Sequence, residues 1–282
     1  MKKLNIKHII IGVISIVVVV ALVLMLLPRS STPTKTTKKA TNEYSTLSYY
    51  HKDYLKRYNA YKKANPKLST KDIVTRVNMG LDQDNWYTNI INQTKPNDVD
   101  TLVNKVYKLD ESYAPSDLVN INTDLDSYNS SYKNHQVRKV VYDDFQALRK
   151  ACKEKGFSLY VVSGYRSTKW QTEIYNHNAS VYGTEETDKT CSRPGHSEHT
   201  TGLGMDIALD DKKFQDVETH PDYKWFVSKL ADYGFIIRYP KDKESLTGYS
   251  YECWHIRYLG KSLAKKVTNS SLTYDEYYAR NN

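Results

Sequence analysis

Acidic side chains are absent from the first 42 positions, where seven basic ones stand alone: Lys2, Lys3, Lys7, Arg29, Lys35, Lys38 and Lys39. The other 240 residues carry 34 basic against 32 acidic groups, so the formal charge of +9 belongs largely to a short N-terminal segment. A nucleic-acid partner is therefore not expected, because that function needs basic groups clustered on a folded face. Cysteine is also scarce. Three in 282 residues exclude a disulfide scaffold. Cys152, in a helical pattern, reads as a small buried hydrophobe. No repeat of fixed period is found, and 39% hydrophobic residues supply enough material for a real core.

There is one long apolar run, residues 9–27, interrupted only by Gly12 and Ser15. At ~1.5 Å per residue a helix of that length reaches roughly 28 Å, close to the ~30 Å hydrocarbon core of a bilayer. The run exceeds the usual apolar core of a signal peptide, and no small-residue cleavage site or lipid-accepting Cys follows it. A retained single-pass transmembrane anchor is expected. Lys2, Lys3 and Lys7 precede the span, which orients residues 1–8 to the cytoplasm and the rest of the chain to the outside of the cell membrane. Residues 28–42, rich in Ser, Thr, Lys and Pro, read as a solvated tether.

From residue 43 the pattern changes. Tyr50, Tyr54, Tyr58 and Tyr61 recur at helical spacing and predict an aromatic helix face that packs on a neighbour, ended at Pro66. Ser69 with Asp72 starts a second helix that Gly80 closes, so residues 43–98 read as a small helical subdomain. Val141, Phe145, Leu148 and Cys152 mark an amphipathic helix stopped by Gly156 and followed by a strand over 157–163. The same order recurs with Trp225, Phe226 and Leu230, then Gly234, then a strand over 235–239, and residues 249–258 add another strand-like stretch. An α+β domain over 99–268 is expected, with helices flanking a small antiparallel or mixed sheet. Residues 269–282 would form a tail or short helix.

Chemistry concentrates in two places. Residues 191–210 (CSRPGHSEHTTGLGMDIALD) hold His196, His199 and Asp206 among glycines, and residues 251–258 (YECWHIRY) add Glu252, Cys253 and His255. Catalytic zinc takes three protein ligands from His and carboxylate, and a nearby carboxylate that is not a ligand serves as general base. His199, Asp206 and His255 supply such ligands and Glu252 such a base. Spacing alone also allows each His to be a hydrogen-bonded core residue and each acid a solvated surface group.

A wider pattern bears on that choice. Ser197, His199, Gly202 and Asp206 fit S-x-H-x-x-G-x-x-x-D, and Ser163-Gly164-Tyr165-Arg166-Ser167 with Gln171 fit S-G-Y-R-S-x-x-x-Q. With residues 234–240, 247–249 and 252–258, the chain resembles the VanY-type zinc D-alanyl-D-alanine carboxypeptidases over about residues 100–268. The resemblance implies a hedgehog/DD-peptidase-like fold and zinc held by His199, Asp206 and His255, with Glu252 as the catalytic base. It implies that Arg166 and Gln171 contact substrate and developing charge, and that Ser197 holds the substrate's terminal carboxylate. The implied reaction removes the last D-Ala from a peptidoglycan stem peptide. An L,D-carboxypeptidase acting on tetrapeptide stems is the alternative, with an endopeptidase behind it. From another class comes a non-catalytic zinc-containing cell-wall-binding module, against which Glu252 argues, since binding needs no base. A monomer is expected.

The chain departs from the family pattern twice. Cys253 stands where relatives usually have Pro, although a regular strand puts Glu252 and His255 on opposite faces, so the required bend must come from elsewhere. Gly204 stands where Ala is common, and no functional consequence is expected. His196 reads as a rim residue or support for the site, and His177 as surface. Cys191 and Cys253 flank the two signatures and, if these meet at one metal, are candidates for a disulfide, with Cα atoms ~4.4–6.8 Å apart. The alternatives are two free thiols, or Cys253 as a metal thiolate sharing a strand face with His255.

Overall fold

Alternation along short strands sorts the side chains of this protein into a core face and a cleft face. The computed structural model describes residues 42–121 and 135–282. In chain order its elements are helices α1 (Leu55–Ala64) and α2 (Thr70–Asn78), then strands β1 (Ile91–Asn92), β2 (Tyr107–Lys108), β3 (Leu118–Asn120) and β4 (Gln136–Arg138). Helix α3 (Lys139–Lys155), β5 (Leu159–Ser163), α4 (Thr168–Tyr182), α5 (Thr184–Thr190) and β6 (Gly204–Leu209) follow. The chain continues through α6 (Tyr223–Leu230), β7 (Phe235–Tyr239), α7 (Glu244–Thr247), β8 (Glu252–Tyr258), α8 (Gly260–Ser270) and α9 (Tyr274–Asn281). Four strands form one antiparallel sheet in the order β5-β6-β8-β7, so the α+β architecture is as expected.

One face of that sheet carries Val161, Met205, Ile207, Leu209, Phe235, Ile256 and Tyr258 into a core shared with Val141, Phe145 and Leu148 of α3 and Phe226 and Leu230 of α6. The two predicted helix–Gly–strand units are both present. Gly156 caps α3 at φ +111° and Gly234 precedes β7 at φ +89°, backbone conformations that favour residues without a Cβ. The intervening residues, Asp206 of β6, Arg238 of β7 and His255 and Arg257 of β8, face the other way.

The bend that Cys253 cannot impose by its own φ restriction is a β-bulge. Ile237 pairs with Ile256 and Tyr239 with Glu252, so four residues of β8 are spanned where β7 uses two. Strict alternation lapses inside such a bulge. Glu252 and His255, three apart, consequently share the cleft face, with His255 Nδ1 and Glu252 Oε2 3.6 Å apart. Cys253 turns into the hydrophobic core instead.

Helices α1 and α2 pack through Tyr58, Ile73, Val74 and Val77, joined by Tyr44. The tyrosine stripe is a packing surface, but the helix begins only at Leu55, after a 3-10 turn over Lys52–Tyr54, so Tyr50 precedes it. These helices belong to the same compact unit as the sheet, Glu43–Asn282. Arg280 of α9 reaches Asp72 (3.1 Å) and Thr75 (2.9 Å) of α2, and the α9 start is locked by a Thr273–Glu276 capping box. Residues 269–282 thus hold the end of α8 and the short helix α9, packed into the fold through buried Tyr274, Asp275 and Glu276. Residues 1–8, the anchor over 9–27 and the tether over 28–42 except Asn42 lie outside the described residues. Among the described residues no helix is long and apolar enough to cross a membrane.

Candidate active site

The site begins where the chain leaves β5. A Cβ on Gly164 would lie 2.4 Å from the Gln136 carbonyl oxygen of β4, so only glycine lets the backbone pass there. Its own carbonyl accepts a 2.8 Å hydrogen bond from Nδ1 of His199, on the 3-10 turn Glu198–Thr201. With the proton thus on Nδ1, the Nε2 lone pair of His199 faces Asp206 Oδ2 at 3.4 Å. Asp206 and His255 are direct partners across β6 and β8, and His255 Nδ1 lies 3.0 Å from Asp206 Oδ1. One donor atom from each of His199, Asp206 and His255 lies within 4.8 Å of the others.

Electrostatics follow from burial and from this crowding. Burial, then the Arg166 cation, pushes His199 down to about 4, so it is neutral at pH 7. Burial would depress His255 too, but the hydrogen bond to Asp206 and the nearby carboxylates of Glu198 and Glu252 lift it to about 9. Burial would raise Asp206, yet His199 and His255 hold it well below the usual carboxylate range. Glu252 goes the other way: desolvation, with Asp206 beside it, raises it to about 7. Two nitrogens and one carboxylate oxygen make the donor set of a catalytic zinc site. Asp206 and Glu252 both approach one imidazole nitrogen, at 3.0 and 3.6 Å, a concentration of negative charge that a cation would balance. The residues fit a zinc ion.

Arg166, Gln171, Ser197, His199, Asp206, Glu252 and His255 line one cleft, together with Tyr239, Tyr249 and Trp254. Arg166 is anchored by its backbone N–H on the His199 carbonyl at 3.2 Å, while its buried Nε has no protein acceptor. Gln171 donates to the Ser192 carbonyl at 2.7 Å, fixing the cleft wall, and its Oε1 is without a partner. Trp254 stands edge to face with Phe214 at 5.4 Å on the same lining.

Three expectations change. Cys191 and Cys253 are not bridged, and all three cysteines are free and buried. Cys191 lines the cleft beside Gln171, whereas the bulge points Cys253 to the core, its thiol 3.5 Å from the Gln215 carbonyl. For the same reason Cys253 does not share the face of His255 and is no metal ligand candidate. His196 does not line the cleft; its Nδ1–H donates to the Asn104 carbonyl at 2.7 Å and its ring meets Tyr87 edge-on at 4.9 Å. His177 is exposed. Gly204 matters more than expected, since a Cβ there would lie 3.0 Å from Glu198 Cβ and 3.2 Å from His255 Nε2.

His196 offers a pH test. Burial pushes it down to about 4 from an ordinary 6.5. As pH falls the unfolded chain therefore takes up this proton first. The stabilisation from neutral His196 is complete above pH 6.5 and is lost between there and about 4. His196→Gln, which keeps an N–H donor, is expected to flatten the fall of Tm across that window. Superimposable pH profiles of parent and variant would refute this.

A group without an assigned role lies directly behind the donors. Glu198, fully buried, accepts at Oε1 from Arg238 Nε (2.7 Å) and Arg257 Nη1 (2.8 Å), and Arg238 also pairs with Asp275 of α9. The signal was present in the sequence: an arginine inside each of two apolar strands, 235–239 and 252–258, needs a buried acid.

An antiparallel sheet that presents this His–Asp–His cluster, with a carboxylate poised near neutrality and an arginine whose Nε lacks an acceptor, carries the groups of a hydrolase, and its relatives make the class that of the carboxypeptidases. The model of the family described as VanY, D-alanyl-D-alanine carboxypeptidase, matches residues 134–261. The putative carboxypeptidase YodJ of Bacillus subtilis (strain 168) is 39% identical over 188 residues, covering 66% of this chain and 68% of the relative. Two solved structures share the fold. The LdcB LD-carboxypeptidase has a TM-score of 0.62 at 36% identity, covering 68% of this chain and 91% of that one. A mutant of the vancomycin-resistance D,D-pentapeptidase VanY in complex with Zn(II) has a TM-score of 0.53 at 29% identity, covering 64% and 98%. This chain belongs to the VanY D-alanyl-D-alanine carboxypeptidase family.

Proposed function

We propose that the protein is a zinc-dependent D-alanyl-D-alanine carboxypeptidase that trims the terminal D-Ala from peptidoglycan stem peptides. The observation that carries this is the cleft itself: a His199–Asp206–His255 donor set with Glu252 3.6 Å from His255 and an unpartnered Arg166 Nε on the same lining. When bound to the three donors, zinc would supply Lewis acidity toward a water and a carbonyl. Glu252, raised to about 7, takes the proton of the attacking water as its oxygen joins the carbonyl carbon. Arg166 meets the carbonyl oxygen as it gains charge, a contribution comparable donors make at about two to three orders of magnitude in rate. Ser197 and Gln171 hold the substrate end. The C–N bond then breaks, Glu252 passes the proton to the departing amine, and free D-alanine leaves a stem shortened by one residue.

This reading includes residues 9–27 as a single membrane anchor, with residues 1–8 cytoplasmic and the cleft outside the cell. The apolar run and the lysines before it support that orientation. A second reading, an L,D-carboxypeptidase that removes D-Ala from tetrapeptide stems, is favoured by the 36% identity to LdcB against 29% to VanY. Incubating the zinc-loaded chain with defined tetrapeptide and pentapeptide stems, and following D-alanine release by mass, separates the two. Release from the pentapeptide alone is the expected result. Release from the tetrapeptide alone moves the assignment to the second reading, and release from neither removes both.

A further inference from the structure

Two buried polar atoms in the core of the site lack a hydrogen-bond partner, Glu198 Oε2 and His255 Nε2. They face each other at 3.7 Å, a few tenths beyond hydrogen-bond range. Leaving either buried atom unpaired is costly, and the side chain of Glu198 is wholly buried. Its other oxygen is fixed by Arg238 and Arg257, and Arg238 is held in turn by Asp275. The carboxylate therefore cannot rotate away. Gly204 completes the arrangement, because a Cβ at that position would press on both partners.

From this geometry we infer that Glu198 is a positioning residue: it accepts the Nε2–H of His255, so that when zinc replaces the proton Nδ1 gives to Asp206, the lone pair offered to the ion is that of Nδ1. The inference rests on His255 serving as a metal donor through Nδ1. An imidazole has two tautomers, and the hydrogen bond made by one nitrogen decides which electron pair the other can offer. His199 is fixed by the same device with opposite polarity, its Nδ1–H given to the Gly164 carbonyl and its Nε2 left bare. Each histidine thus has its distal nitrogen pinned by a separate element, a backbone carbonyl for one and a buried carboxylate for the other. The Arg238–Asp275 pair extends the support for His255 to α9, far along the chain from the donors themselves.

The test reads the proton directly. Imidazole 15N shifts of the metal-free, histidine-labelled chain, with His255 assigned through His255→Asn, are expected to show both nitrogens protonated, Nδ1–H facing Asp206 and Nε2–H facing Glu198. Titration with zinc should shift Nδ1 and leave Nε2 protonated. In Glu198→Gln the amide can turn its NH2 toward Nε2, so the ring is expected to switch to the Nδ1–H tautomer and zinc affinity to fall about 10- to 100-fold. A wild-type ring whose Nε2 is unprotonated once zinc is bound, or that takes zinc through Nε2, overturns the inference even if the variant does not fold. Unchanged zinc affinity in a folded Glu198→Gln overturns it as well. Failure of the wild-type chain to bind zinc at all would instead strike the functional reading, so the two failures are distinguishable.

Discussion

Glu252→Gln is expected to keep its zinc and lose about two to four orders of magnitude in turnover, the usual contribution of a positioned acid–base group. The amide preserves the shape of a side chain packed against the bulge in β8, but it cannot take a proton from water or return one to the leaving amine. The burial that raises Glu252 to about 7 suits it to both transfers near neutral pH. Metal content by mass spectrometry and D-alanine release by mass, measured on one preparation, check the two halves of the expectation. Loss of zinc from this variant would make Glu252 a ligand and leave the site without an assigned base.

The second large effect concerns the donors. Alanine at His199, Asp206 or His255 is expected to abolish stoichiometric zinc in each case, a larger loss than the ~10- to 100-fold drop on removing a group that merely supports a ligand. Three other nearby side chains are already placed elsewhere. Cys253 is turned into the core, His196 is bonded to the Asn104 carbonyl, and Glu198 is tethered through Oε1 to Arg238 and Arg257. Dialysis against zinc buffers followed by elemental analysis provides the measurement. Full zinc content and activity in His199→Ala would refute the assignment.

The helix–Gly–strand units and the cleft residues of the two signatures were legible because each depends on local pattern: period, caps, and residue types at fixed spacing. The bulge in β8 was not. A register shift is a relation between two strands, and only its necessity could be inferred from Glu252 and His255 standing three apart. The same gap explains the error over Cys191 and Cys253. Proximity of two segments does not fix the face on which a given side chain emerges, and the bulge turns Cys253 to the core. The role of Glu198, inside the first signature, is not legible from sequence because its partners Arg238 and Arg257 lie 40 and 59 positions away. The weight of Gly204 was likewise invisible, since it depends on what a Cβ would touch across the fold.

The strand order β5-β6-β8-β7 bears on how the site comes into being. Asp206 and His255 are 49 residues apart in the chain, His199 and the Gly164 carbonyl 35, and Glu198 and Arg257 59. Each contact closes a long loop, and that entropy must be surrendered before the contact gives anything back. No short segment holds even two of the three donors in place with the base. A half-folded chain therefore carries no partial version of the cleft, and hydrolytic chemistry begins only when the whole sheet has closed.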